Sequence, residues 1–183
     1  MQVNTGAAKG RKLKSLPGDA IRPITDRAKQ AIFNILGDDV RGSRWLDLFA
    51  GTGAVGIEAL SRGAAEATFV DILPQAVRII RENLRRTRLE SQARVVRQDA
   101  FDYLQAWPNL RYDYIFVAPP QYQGLWSRAL IAIDENIGWL SESGAVIVQI
   151  DPQEYFPLTL DHLELGDQRR YGKTLLLFYD RCS

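Results

Sequence analysis

Residues 46–56, LDLFAGTGAVG, place Gly51, Gly53 and Gly56 in the spacing G-x-G-x-x-G, between one apolar run and the next. Glycines at those positions let a strand turn sharply into a helix, with backbone N–H groups facing whatever binds there. The flanks agree: RWLDLF reads as a short apolar strand and GAVGIEALSRG as a helix closed by Gly63. The alternation then repeats. ATFV is a second strand ending at Asp71, and LPQAVRIIRENLRRT is a helix with proline in its first turn. Val77, Ile80 and Leu84 lie on one side of it, with Arg78, Arg81, Arg85, Arg86 and Arg88 on the other. ARVVRQ is a third strand, YDYIFV a fourth, LWSRALIAIDENI a helix and GAVIVQI a fifth strand. Ahead of the glycine loop, TDRAKQAIFNILG predicts a helix opened by a capping Thr25 or Asp26, with Ala28, Ile32, Ile35 and Leu36 on one face. FPLTLDHLEL and KTLLLFY read as an antiparallel closing pair joined by the polar turn GDQRRYG.

Strand alternating with helix implies a parallel sheet with right-handed crossovers, and the closing pair makes it mixed. The expected fold is α/β, a doubly wound, Rossmann-like sheet, mostly parallel with a C-terminal antiparallel hairpin. Residues 1–183 are expected to form a single domain, with the polar, Gly-rich and basic residues 1–20 as an N-terminal arm or hairpin. Ligands of such sheets sit beyond the carboxyl ends of the strands. Residues 49–53, 71, 99 and 118–122 all follow strands, so they should converge on one crevice.

In this context the glycine loop points to an adenosine-type cofactor, and a nicotinamide dinucleotide is the first candidate. Asp47 argues against it. A carboxylate four residues before Gly51 repels a pyrophosphate and attracts an ammonium or a sulfonium, and S-adenosylmethionine carries both cations. Asp71 can accept from ribose hydroxyls, and Asp99, in RQDAF, from the adenine amino group. Each acid also has a local reading: a cap for Asp47 and Asp99, a turn residue for Asp71.

Composition removes other chemistries. The only cysteine is Cys182 and the only histidine His162, which rules out an internal disulfide framework, cysteine-based or His-pair metal sites, and makes a His-based triad unsupported. No metal is expected. No apolar run approaches ~18 residues, so no membrane span is expected, and a cytoplasmic monomer is the expected form. The net charge of +1 hides an asymmetry: residues 1–97 hold 17 Lys and Arg against 10 Asp and Glu, and residues 98–183 hold 6 against 12. One basic half suits a polyanionic partner, and 18 of the 23 basic residues are arginine, which pairs with phosphate and stacks on bases.

LDLFAGTGAVGIEALSRGA, with IRPITDRAKQAIFNIL, QDAF and FVAPPQY, resembles the bacterial 16S rRNA guanine-N2 methyltransferases of the RsmD type, which have the class I methyltransferase sheet. The likeness runs from about Lys9 to the fifth strand. It implies S-adenosylmethionine as cofactor and 16S rRNA or a small ribosomal subunit particle as partner. Asp47, Gly51 and Gly53 would meet the methionine part, with Phe49 opening the same loop. Asp71 would meet the ribose, Ile72 the adenine face, and Asp99 with Ala100 the adenine edge. Thr25 matches a family segment near the cofactor, although a plain helix cap explains it equally. Lys9, Arg11, Lys12 and Lys14 of KGRKLK, with Arg22 and Arg27, would hold RNA phosphates.

The family's catalytic tetrapeptide begins with Asp or Asn, whose side chain and a backbone carbonyl accept from the target amine, and ends in an aromatic that stacks on the flipped base. Here the segment is Ala118, Pro119, Pro120, Gln121, Tyr122: the acid or amide is alanine, and the aromatic comes one residue late. Backbone carbonyls or Gln121 are left to supply the acceptor. Two alternatives stay open: an adenine-N6 methyltransferase on DNA or RNA, and a non-catalytic RNA-binding assembly factor. Trp126 is expected either to line the acceptor pocket or to pack in the core.

Overall fold

The computed structural model describes residues 1–18 and 23–182. Five parallel strands, β1 (Arg44–Leu48), β2 (Glu66–Asp71), β3 (Ala93–Arg97), β4 (Tyr112–Val117) and β5 (Leu140–Ile150), join an antiparallel pair, β6 (Leu163–Tyr171) and β7 (Thr174–Arg181). Their order across the sheet is β3-β2-β1-β4-β5-β7-β6. Strand order reverses beside β1, where the chain leaves β2 and β3 on one side and returns to β4 on the other. Crevices form at such points.

Alternate strand residues feed two cores. Trp45, Phe69, Phe116 and Ile147 face α1 (Asp26–Leu36), α2 (Ala54–Ser61) and α3 (Pro74–Thr87), whose Ile32, Ile57 and Ile80 share that cluster. Leu46, Val70, Val117 and Val148 face α4 (Ala100–Gln105) and α5 (Leu125–Glu135). Helix ends follow local chemistry. Thr25 Oγ1 accepts from Ala28 N at 3.2 Å to open α1, Pro74 sits in the first turn of α3, and Arg88 closes α3 at φ 58°.

Two expectations need correction, the apolar face of α1 and the bounds of the closing pair. The buried face of α1 is Ala28, Lys29, Ile32 and Phe33, while Ile35 is 39% exposed. Lys29 can be buried because its Nζ lies 3.1 Å from Glu58 Oε1 and donates to Gln2 O at 2.8 Å. The segment before Leu163 is not strand, and β6 runs through the polar DQRRY to Tyr171, leaving only Gly172 and Lys173 as the turn. His162 lies just ahead of this edge strand, with its backbone N held by Asp134 Oδ1 at 2.7 Å. The short α4 was not evident in the sequence because it offers less than two turns of periodicity.

Residues 1–13 form a docked hairpin rather than a loose arm. Val3 N donates to Arg11 O, Gly10 N to Val3 O and Leu13 N to Met1 O, all at 2.9 Å. Val3, Ala8 and Leu13 are buried. Glu58 on α2 accepts from Asn4 N at 2.9 Å and Thr5 N at 3.1 Å, and Asn83 on α3 takes Lys14 N at 2.7 Å. Gly6, at φ 93°, passes so close to Ser61 that a Cβ would stand 1.8 Å from its carbonyl oxygen. No helix among the described residues is long and apolar enough to cross a membrane.

Candidate active site

The carboxyl ends of the parallel strands open into two adjoining pockets. The larger, about 260 Å³, is lined by Asp71, Ile72, Leu73, Gln98, Asp99 and Ala100, with Pro120 and Gln123 opposite. The smaller, about 70 Å³, is lined by Asp47, Gly51, Thr52, Phe116 and Gln149, with Pro23 and Ile24 over it. Phe49 and Ala118 line both. A ligand spanning the two pockets would therefore pass between these side chains.

All three strand-end acids line the pockets, and all three also do the local work that their alternative readings assigned. Asp47 Oδ2 accepts from Gly56 N, in the first turn of α2, at 3.1 Å. Asp71 Oδ2 accepts from Gly51 N at 2.9 Å and its Oδ1 from Leu73 N at 3.0 Å, so this acid braces the glycine loop. Asp99 opens α4, Oδ1 accepting from Phe101 N at 2.8 Å and Asp102 N at 3.1 Å. A strand-end acid beside a helix N-terminus meets unpaired N–H groups in either case, so one role does not exclude the other. Thr25 differs: it caps α1 and lines neither pocket.

Asp47 is the electrostatic centre. It is 2% exposed, and burial pushes its carboxyl up to about 8. The charge of Asp71 pushes the same way, and the Gly56 N–H opposes both. Gly53 turns the loop at φ 80°, where a Cβ would press at 3.3 Å on Phe69. Phe49 holds φ 59° and meets Phe101 edge-on at 6.0 Å, which aims its ring between the pockets. Exposed Ile72 and Leu73 form an apolar lip on the larger pocket.

The Ala-Pro-Pro segment follows β4. Ala118 is half-buried at the junction, Pro119 is buried, and Pro120 lines the larger pocket. Gln121, the residue offered by the sequence as a replacement acceptor, lines neither pocket. Tyr122 is 62% exposed, sits at φ 60°, and its N donates to Glu154 Oε1 at 2.8 Å. Trp126 is core, stacked with Tyr155 at 6.2 Å.

Of the basic residues, Lys9, Arg11 and Lys12 are exposed on the docked hairpin, whereas Lys14 Nζ lies 3.3 Å from Glu82 Oε2. Arg22 falls outside the described residues. Arg27 lies exposed on α1, its guanidinium 5.2 Å from the Tyr171 ring centroid. Sequence reasoning passed over Arg169 and Tyr171, treating their segment as a polar turn. Arg170 pairs with Leu175, and Leu175 with Ile150, so the β6–β7 tip stands beside the carboxyl end of β5. Arg27, Gln30, Asn34, Arg169 and Tyr171 line an open groove there. Gln149 was also missed, since nothing in the fifth strand's sequence marks it.

Residues 1–180 match the family model described as Conserved hypothetical protein 95. The chain is 37% identical over 183 residues to YlbH of Bacillus subtilis, covering 99% of each protein. It is 32% identical over 181 residues to Ribosomal RNA small subunit methyltransferase D of Escherichia coli, covering 99% of this chain and 90% of the relative. The solved structure of YhhF from Escherichia coli superposes with a TM-score of 0.86 at 31% identity, covering 99% and 97% of the two chains. The chain thus belongs to the Conserved hypothetical protein 95 family, that of the RsmD-type ribosomal RNA methyltransferases.

Proposed function

We propose that this chain methylates the exocyclic N2 amine of a guanine in 16S ribosomal RNA with S-adenosylmethionine, acting in the cytoplasm as a single-domain monomer. The observation that carries the cofactor assignment is the buried Asp47 carboxyl, pushed up to about 8 and, among the described residues, in no ion pair with a cation. An ammonium ligand fits that need and a pyrophosphate does not. The residues fit the rest of the cofactor as well: Asp71 for the ribose, Ile72 and Leu73 for the adenine face, Asp99 and Ala100 for its edge.

When bound, the sulfonium supplies an electrophilic methyl whose C–S electron pair leaves with sulfur, while the amine nitrogen gains the methyl and releases one proton to solvent. The chain's own task is positioning and exclusion of water. Phe49 and Ala118 define the passage between the pockets, and Pro119 and Pro120 fix the turn that carries the Ala118 and Pro119 carbonyls. The target base must be unpaired or flipped to reach that depth. The exposed Lys9, Arg11 and Lys12 and the groove of Arg27 and Arg169 suit an RNA backbone, which is held without reading its sequence.

A thermal-shift comparison tests the cofactor. S-adenosylmethionine and S-adenosylhomocysteine, both carrying the ammonium, should raise Tm in a manner that depends on Asp47, while NAD leaves Tm unchanged. A rise with NAD and none with either adenosyl ligand would refute the assignment.

A further inference from the structure

We propose that Gln149 holds the target amine, replacing the side-chain acceptor that Ala118 cannot supply; this rests on the methyltransferase reading above. Paired residues of neighbouring parallel strands project to the same face. Asp47 pairs with Phe116, and Phe116 with Ile147. One pleat further on, beyond the last pair Val117–Val148, come Ala118 and Gln149. Ala118 and Gln149 therefore stand side by side on β4 and β5, on the same face as Asp47 and one pleat beyond its row, and all three line the smaller pocket. The methyl group of Ala118 leaves the space between them clear.

The Gln149 carboxamide has no protein partner among the described residues, and its Oε1 is buried without one. Buried amide oxygens are seldom left unpaired, because desolvating them without a hydrogen bond is costly. Since no group among the described residues fixes the amide, a half-turn about its last torsion exchanges oxygen and nitrogen freely. A ligand entering the pocket would decide the orientation. The donor it must bring is not the cofactor's ammonium, to which Asp47 offers a carboxylate two strands away. The groups left to reach β5 are those of the acceptor base. Guanine presents an N2 amine beside the ring N3, one donor next to one acceptor. A carboxamide matches both, its Oε1 accepting from the amine and its Nε2 donating to N3, in the paired fashion by which Gln and Asn read bases. An amine held by one N–H turns its lone pair toward the methyl source, and the amide takes no proton from it.

The test compares wild type with Gln149→Leu and Gln149→Glu. Three quantities are measured: cofactor affinity by calorimetry, single-turnover methylation of unmodified 16S rRNA, and the Gln149 side-chain NMR signal. Gln149→Leu should leave S-adenosylhomocysteine affinity within about twofold and slow turnover ~10²–10³-fold, as expected when an oriented hydrogen-bond partner is lost. Gln149→Glu, which keeps an acceptor, should retain more activity than Gln149→Leu, and adding Ala118→Asn to Gln149→Leu should restore part of the loss. The NMR arm needs no turnover. In the presence of S-adenosylhomocysteine, guanosine 5′-monophosphate should shift the Gln149 amide signal more than inosine 5′-monophosphate, which lacks the N2 amine. Loss of cofactor affinity in Gln149→Leu would overturn the proposal by assigning the residue to the cofactor. So would wild-type turnover in that variant, or an amide signal indifferent to the N2 amine. If wild-type protein methylates nothing but the NMR discrimination holds, the functional reading fails and the amine contact stands.

Discussion

Asp47 makes cofactor binding depend on pH in a calculable way. The unfolded chain ionises this carboxyl near 3.8 and the folded protein near 8. The folded state therefore holds the extra proton between those values. The ligand-free protein loses stability from this group as pH rises through that window, and Asp47→Asn should flatten that dependence. A cationic ligand favours the ionised form, so binding expels the proton. With an apo value of about 8, roughly one molecule in ten is ionised at pH 7 and about one in a hundred at pH 6. Apparent Kd for S-adenosylmethionine should fall about tenfold from pH 6 to pH 7, with ~0.9 proton released per ligand at pH 7. The ligand's own α-ammonium titrates near ~8, so the range to use is about pH 6 to 7.5. Calorimetry in buffers of differing ionisation enthalpy reads both quantities. Asp47→Asn should abolish the slope and weaken binding ~10–100-fold at pH 7.5, the worth of a charge-assisted hydrogen bond of about 1.5–3 kcal/mol. A Kd that does not change with pH in wild type, with no proton release, would refute the reasoning.

Three further outcomes follow from the packing and the surface. Glu58→Gln strips the counter-charge from the fully buried Lys29 and loosens the N-terminal hairpin, so denaturant unfolding should show a loss of about 3–5 kcal/mol; a loss below ~1 kcal/mol would contradict it. Gly56→Ala places a Cβ 2.4 Å from a Phe69 ring carbon, which should lower stability by roughly 1–3 kcal/mol in the same assay, and an unchanged midpoint would show that the ring yields freely. Replacing Arg27 and Arg169 together by alanine should weaken 16S rRNA binding, with the log–log salt slope reduced by about 1–2 and cofactor affinity unchanged; an unaltered slope would remove the groove from the RNA footprint.

The parts of the site legible in the sequence were those encoded locally. The glycine spacing, Asp47 before it and Asp71 and Asp99 at later strand ends needed only the rule that ligands meet the carboxyl ends of parallel strands, and the acids do line the pockets. The double duty of these acids was harder to see, because the N–H groups of Gly51, Gly56 and Phe101 find their acceptors only once the turns close. The face of α1 was misread because Lys29 counts as polar until Glu58, 29 residues later, is seen to neutralise it. The polar stretch of β6 carries no apolar alternation, since this edge strand is exposed on most of its length, so Arg169 and Tyr171 looked like a turn. Gln149 was invisible for a different reason. Its neighbour Ala118 is 31 residues away, and only strand register brings the two together.

The most direct test of the function offers the purified protein isotopically labelled S-adenosylmethionine with unmodified 16S rRNA, partly assembled small subunits or duplex DNA, then identifies the labelled nucleoside by mass spectrometry. The account predicts N2-methylguanosine from one of the two ribosomal substrates, despite the alanine at position 118. Label on an adenosine, label on DNA, or cofactor binding with no labelled nucleoside from any substrate would contradict it.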